Sequence, residues 1–173
     1  LKLRLARLQD EQLGDLNASL ELLREVVEVS PRNESTRGYL EELLANEDAA
    51  LHAAEILQPL YTEDGDNASL STVLAVRLQF EDDPSSRQPL FHQLAVLQSQ
   101  ELEDHAAAFE TRCLGLREFP ADADMLAGAY QEAELTGDWA QLSATLNDLA
   151  DEVADPEVAT DLRSRVARIQ SEY

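Results

Sequence analysis

The sequence predicts an all-α protein, an antiparallel helix-hairpin solenoid, and its first support is a pattern that occurs three times. The copies begin at Leu1, Leu90 and Leu162. Each has large aliphatic residues at i, i+4 and i+7, an alanine at i+5 and a glutamine at i+8. One apolar helix stripe requires only the i, i+4, i+7 spacing, so the shared alanine and glutamine indicate internal duplication. Internal repeats are typical of solenoids.

The second support is a recurrent joint between helical patterns. A glycine followed by an aspartate occurs at three such places, and Glu103-Asp104 is a weaker version without the glycine. The three joints are Gly14-Asp15, Gly65-Asp66 and Gly137-Asp138. Glycine ends a helix in the left-handed conformation, and aspartate caps the next helix by accepting from free backbone N–H groups. The last two glycines are 72 residues apart with the weaker joint between them, which gives a hairpin period in the mid-thirties.

The helices themselves are predicted from apolar stripes and proline boundaries. Three stripes with alternating steps of three and four are Leu16-Leu20-Leu23-Val27, Trp139-Leu142-Leu146-Leu149-Val153 and Leu162-Val166-Ile169-Tyr173. We interpret these stripes as core packing between neighbouring helices. Prolines at 31, 84, 120 and 156 mark boundaries, because proline fits only the first turn of a helix without disruption. No segment alternates with period two for long enough to predict a strand.

The order of these residues resembles a tetratricopeptide repeat array. Residues that match the family pattern are Leu5, Ala6, Gly14, Asp15, Leu16, Ser19, Leu23, Val26 and Pro31, then Leu57, Tyr61, Gly65, Asp66, Leu70 and Leu74, then Leu94, Ala95, Asp104, Ala108 and Pro120, then Gly137, Asp138, Trp139, Leu142, Leu146 and Leu149, with Val166 and Ala167 in a final helix. The chain departs from the pattern at Gln9, which replaces an aromatic residue, and at Arg112, which replaces an apolar one. The resemblance implies a right-handed superhelix of about four and a half repeats in a single domain over residues 1–173.

One segment breaks the two-helix rhythm. A short helical pattern near residues 34–45, with Tyr39, Leu40, Leu43 and Leu44, follows the first closing proline. We interpret it as a short inserted helix that perturbs the superhelix locally. The alternative is an ordinary first helix of a repeat, with the misfit elsewhere in the chain.

The resemblance also implies a concave groove that grips a peptide or protein partner. Side chains at groove-facing positions of the matched helices would be Arg7, Asp10, His52, Glu55, His92, Val96, Gln100 and Arg168. The lysine positions with which such grooves clamp a C-terminal carboxylate hold no lysine here, since Lys2 is the only one and lies outside the pattern. We therefore expect no such clamp. A protein-interaction scaffold is the leading function, and a structural spacer within a longer repeat array is the alternative.

The amino-acid composition limits the classes of molecule that this chain is expected to bind. The formal net charge of −22, without a cluster of basic and aromatic residues, argues against nucleic acid and against an anionic membrane surface. The simpler explanation of the acidic charge is that it keeps an extended solenoid soluble. The alternative explanation is that the acidic surface attracts a basic partner. The single lysine beside twelve arginines suggests a GC-rich bacterial genome.

The sequence shows no membrane-targeting pattern. No apolar run approaches the length of a membrane span and no signal peptide is present. The cytoplasm is therefore the default compartment, and the bacterial periplasm is the alternative.

The cysteine, histidine and acidic residues form no recognisable catalytic set in the sequence. An enzyme is therefore only a remote alternative. Cys113 is the single cysteine, which leaves no disulfide or cysteine-based metal site, and we expect a packed thiol. His52, His92 and His105 are scattered and predicted to lie on the surface. The segment Asp64–Ser69 opens like a calcium loop, but Ala75 occupies the position of the required carboxylate, so a capped helical turn is predicted. We expect no cofactor and no metal.

The two ends predict a difference between terminal helices, since end repeats of a solenoid need a polar outer face. The last helix suits a cap, whereas the leucines of the first helix spread over more than one stripe. We expect an excised piece of a longer protein in which Leu3 is more exposed than Leu5. An upstream repeat would cover this surface in the longer protein, or a neighbouring copy would cover it here, which makes the N-terminal helix a candidate for self-association.

Overall fold

The computed structural model describes all 173 residues and contains no strand, with 82% of the chain helical. The prediction of an all-α protein is confirmed. The helices are α1 Lys2–Leu13, α2 Leu16–Val29, α3 Glu34–Leu43, α4 Ala50–Asp64, α5 Asn67–Phe80, α6 Pro84–Val96, α7 His105–Glu118, α8 Ala123–Thr136, α9 Trp139–Glu152 and α10 Pro156–Glu172. A π-helical turn over Leu97–Glu101 extends α6, and the sequence did not predict it.

The glycine joints have the geometry that the sequence predicts. Gly14, Gly65 and Gly137 adopt φ of 64°, 69° and 83°, values that glycine reaches without the steric strain that a Cβ brings. Two following aspartates cap the next helix. Asp15 accepts from the backbone N–H of Ala18 at 3.0 Å. Asp66 accepts from the backbone N–H of Ser69 at 3.1 Å, and hydrogen bonds from the side chain and the backbone of Ser69 lower the pKa of Asp66.

The two other joints each differ from the simple pattern. Glu103 takes the left-handed conformation at φ 53°, as the only non-glycine residue with positive φ. Asp104 then caps α7 through the N–H of Ala107 at 3.0 Å. Asp138 follows a left-handed glycine but its side chain makes no capping hydrogen bond. The prediction that Asp138 caps α9 was therefore wrong.

The helices form two compact units, Leu1–Asp83 and Pro84–Tyr173. In the first unit, α1 packs along α2 and α4 packs along α5, while α3 packs mainly against α4 and also touches α2. The fully buried leucines that anchor this core are Leu23, Leu40, Leu57 and Leu74. The expected short helix is present as α3, capped by the Asn33 side chain, and it buries Tyr39, Leu40 and Leu43. Its status as an insertion into a superhelix stays a prediction.

In the second unit, α7 packs along both α6 and α8, and α9 packs along α10. The contact between α8 and α9 is much less extensive, although the Gly137 joint connects them. The largest fully buried side chains of this unit are Phe109, Leu116, Met125, Leu142, Leu146, Leu149, Leu162 and Glu132. α10 begins with Pro156 in its first turn, capped by Asp155, as the proline boundary predicts.

The three copies of the repeated pattern differ in burial. The aliphatic stripe is buried in the second copy (Leu90, Leu94, Leu97) and in the third (Leu162, Val166, Ile169). In the first copy, Leu1 is fully exposed, Leu5 is 43% exposed and Leu8 is 42% exposed.

The predicted order of exposure in α1 was wrong. Leu3 is half-buried and Leu5 is exposed, because Leu3 lies one turn before the buried Ala6, on the face of α1 that packs against its own chain. An apolar surface is nevertheless open on this helix, and it is formed by Leu1, Leu5 and Leu8.

Candidate functional site

An aromatic-walled cleft between α9 and α10 in the second unit is the strongest candidate binding site. It has a volume of about 560 Å³, within the range of peptide and small-molecule sites. Its lining residues are Gly137, Trp139, Ala140, Ser143, Ile169, Gln170 and Tyr173. Trp139 is held at the first position of α9 by the Gly137 turn, while Ile169 lies in the last turn of α10 and Tyr173 is the C-cap residue of that helix. The dense packing of α9 on α10 brings the two sets together.

The aromatic wall is a stack. The rings of Trp139 and Tyr173 lie 3.9 Å apart at 11°, and Tyr130 of α8 meets Trp139 edge-on at 6.0 Å. We call these three residues the aromatic cluster. Trp139 is half-buried and Tyr173 is 68% exposed. Both were assigned to core stripes by the sequence, and the structure corrects this, because the stripes end at the solvent edge of the α9–α10 pair. The result is an apolar surface next to polar atoms of Ser143 and Gln170.

The structure brings Arg168, one of the eight expected groove residues, next to this cluster. Its guanidinium carbon lies 5.9 Å from the centroid of Tyr130, a cation–π distance. Val96 is 40% exposed near the end of α6, and Gln100 is exposed in the π-helical turn. Neither is part of the cleft lining.

Two expected groove residues of the first unit contact a tyrosine of their own unit. Tyr39 on α3 donates its hydroxyl to Asp10 Oδ2 at 2.5 Å, and the Arg7 guanidinium lies 4.6 Å over its ring. Burial and the bond to Asp10 raise the pKa of Tyr39 well above its ordinary value. Arg7 and Asp10 thus fix α1 to α3.

The other two expected groove residues of this unit are on α4. His52 and Glu55 are exposed one turn apart. Glu55 borders a cleft of about 460 Å³, whose lining also includes Arg24, Glu28 and Arg77. Four charged side chains line this cleft beside Val27, Ile56 and Pro59, and it has no aromatic wall like that of the cleft beside Trp139.

His92 and His105 are half-buried rather than on the surface as the sequence predicts, and each lies beside a carboxylate. His92 Nε2 lies 2.7 Å from Asp122 Oδ2, and Gln88 donates to the same oxygen at 2.7 Å. Asp122 also caps α8 through the N–H of Met125. These hydrogen bonds hold the pKa of Asp122 below its ordinary value, against the opposing effect of burial. His92 therefore ties α6 to the start of α8.

A buried charged cluster between α7 and α8 was missed by the sequence analysis. Arg112 is 7% exposed and Glu132 is 2% exposed. Glu132 Oε2 lies 2.9 Å from His105 Nδ1, and its Oε1 lies 3.8 Å from Arg112 Nε. Burial lowers the pKa of Arg112, while Glu132 and Asp122 oppose that shift. Gly128 makes room for the guanidinium. The available signal was the spacing of Gly128 and Glu132, which lie on one face of α8 four residues apart.

The cysteine and the segment resembling a calcium loop both have structural rather than chemical roles in the fold. Cys113 is buried, and burial raises the pKa of its thiol to about 11, so the nucleophilic thiolate is scarce at neutral pH. Asp64 pairs with Arg37. Because Asp66 caps α5, the Asp64–Ser69 segment forms the predicted capped turn.

Comparisons with known proteins give no relative for this chain. No protein-family model, curated protein or solved structure matches it at a significant level of similarity. None of its helices combines the length and apolar character needed to cross a membrane.

Proposed function

We propose that this chain is a protein-interaction scaffold of the tetratricopeptide-like solenoid class, and that it binds an extended peptide in the cleft between α9 and α10. The helix hairpins with left-handed glycine joints at Gly14 and Gly65 support the architecture. The stack of the half-buried Trp139 on the exposed Tyr173 carries the binding proposal. Rigid aromatic side chains lose little conformational entropy on binding, which makes them effective anchors.

The cleft has the composition that peptide recognition requires. Trp139 and Tyr173 supply an apolar surface for a side chain of the ligand, while the exposed Gln170 supplies hydrogen-bonding groups for its backbone. An open patch of this kind favours a scaffold over a spacer. The histidine–carboxylate pairs do not favour an enzyme, because His92 and His105 each bond a carboxylate that packs or caps a helix.

The test uses Trp139, which is the only tryptophan, as an internal probe. A library of random linear peptides is selected against the immobilised chain, and enriched peptides are titrated into it while tryptophan fluorescence is recorded. We expect a saturable spectral change and a loss of about tenfold or more in affinity for the Tyr173→Ala variant.

Leu114→Ala is the matched control, because Leu114 is 56% exposed on α7 and does not line the cleft. Arg168→Ala tests whether the groove expected from the sequence extends onto the aromatic cluster. Peptides that bind the Tyr173→Ala variant as tightly as the parent chain would place the binding surface elsewhere. Failure to enrich any peptide would remove the support for a peptide-binding cleft.

A further inference from the structure

Helix α1 carries an apolar stripe that its own chain leaves uncovered. Leu1, Leu5 and Leu8 are all exposed and follow the i, i+4, i+7 spacing of one helix face. The opposite face of α1, with Ala6, packs against α2. Three neighbouring exposed leucines on one face are an association surface rather than scattered surface residues.

The repeated pattern shows what this stripe does elsewhere in the chain. The equivalent residues of the second and third copies, led by Leu94 and Val166, are buried within their own unit. Because the aliphatic positions are the same in all three copies, the first stripe has the shape that packs against helices in the other two. Its natural covering is therefore another helix.

The charged residues of α1 indicate what kind of helix would pack on its apolar stripe. Arg4 and Glu11 are exposed and lie seven residues apart, which places them on the same flank of the stripe, two turns apart. Neither makes an ion pair within the chain. Basic residues occupy the first half of the helix, and Asp10 and Glu11 follow in the second half. An antiparallel copy of α1 has the complementary charge order.

We propose that two copies of this chain associate through an isologous, antiparallel pairing of their α1 helices. A two-fold axis perpendicular to the paired helices brings like flanks together. With the axis between Leu5 and Leu8, each Leu5 contacts the Leu8 of the other copy. Arg4 of each copy then lies within about 3 Å of the level of Glu11 in the other copy, so two ion pairs form by symmetry. This inference is independent of the peptide cleft.

The interface is small. α1 has 12 residues and spans about 18 Å, and one face of a helix this short buries less area than the roughly 1,600 Å² of a standard stable interface. The dimer is therefore expected to dissociate in the micromolar range. Two chains with a net charge of −22 each repel one another. Salt screens this repulsion, so association is expected to strengthen as the ionic strength is raised from a low value.

Sedimentation velocity of the 173-residue chain over a micromolar concentration series tests the pairing. We expect a monomer–dimer equilibrium that Leu5→Asp and Leu8→Asp abolish. Arg4→Glu and Glu11→Arg should each weaken the dimer about tenfold or more, since each creates like-charge contacts. The double variant R4E/E11R should restore the parent affinity, because the swapped charges meet again across the axis.

Leu114→Asp is the control, since it also adds a carboxylate at an exposed leucine, and circular dichroism shows whether each variant is folded. A chain that remains monomeric throughout the series overturns the proposal. So does a dimer that persists in Leu5→Asp. A dimer that is lost in Leu5→Asp but not restored by the double charge swap overturns the antiparallel register.

Discussion

The guanidinium of Arg112 on α7 occupies the space beside Gly128 on α8 where any other residue would place its Cβ. From this position it faces Glu132, one turn further along α8. The pair explains how an arginine is accommodated at a buried position of α7. A glycine inside a helix costs stability relative to alanine, and here it provides the room that a buried cation needs.

Gly128→Ala should therefore destabilise the chain, although alanine is the better helix former. The new methyl group would overlap the guanidinium and displace it from Glu132, which we expect to lower the free energy of unfolding by about 1–2 kcal/mol. Urea denaturation measures the change. Gly38→Ala on α3 is the control, since a methyl group there meets no atom, and it should stabilise by roughly 0.5–1 kcal/mol. A stabilising Gly128→Ala would contradict the packing argument.

Removing Arg112 alone should be more costly than removing the whole pair. Arg112→Met leaves Glu132 buried with only His105 as a partner, and we expect a loss of about 3 kcal/mol in the free energy of unfolding. In R112M/E132L no charge remains buried, so stability should return to within about 1 kcal/mol of the parent. Arg165→Met, which removes a partly exposed ion pair with Asp161, should cost less than about 1 kcal/mol. Equal losses for the single and double variants would show that burial of the charge is not the cause.

Glu103→Gly should stabilise the joint between α6 and α7. Glu103 has φ 53°, and glycine adopts this conformation without the steric cost of a Cβ, so we expect a gain of roughly 0.5–1 kcal/mol after the larger entropy of the unfolded glycine is counted. The reverse change at an equivalent joint, Gly65→Ala, should destabilise by a similar amount. Thermal unfolding followed by circular dichroism measures both. A loss of stability in Glu103→Gly would mean that the glutamate side chain makes a more important contribution than the strain.

Stability should fall as the pH rises above 10, in part because of two buried tyrosines. Tyr39 and Tyr61 have folded-state pKa values raised above the ordinary 10.0 by burial and by the hydroxyl bonds to Asp10 and Glu41. Below pH 10 these hydroxyls are protonated in both states, and their contribution to stability is fully present. Above pH 10 the unfolded state loses protons first, so stability decreases by up to about 1.4 kcal/mol per pH unit for each tyrosine.

Tyr39→Phe and Tyr61→Phe should flatten this dependence while costing about 1 kcal/mol each at neutral pH, through the lost hydrogen bond. The measurement is urea denaturation at a series of pH values between neutral and strongly alkaline. Parallel curves for the parent chain and the phenylalanine variants would refute the role of the tyrosines.

The sequence by itself determined the local structure of this protein. A left-handed turn at Gly65 and a cap at Asp66 depend on atoms within a few residues of one another, so their signature is visible in the sequence. Helix α3 was visible for the same reason, because its apolar spacing is a property of one segment. Even at Glu103 the aspartate that follows was enough to predict the joint.

The tertiary structure alone decided which faces are covered and which charges meet. His92 and Asp122 are thirty residues apart, and Trp139 stacks on Tyr173 only because α9 packs along α10. An apolar stripe predicts that a helix face is suited to burial, but not whether a neighbour is present, and so the same pattern is buried at Leu94 and exposed at Leu5. Burial and charge pairing are decided by contacts between distant segments, and these are set by how helices pack rather than by the spacing of residues within any one of them.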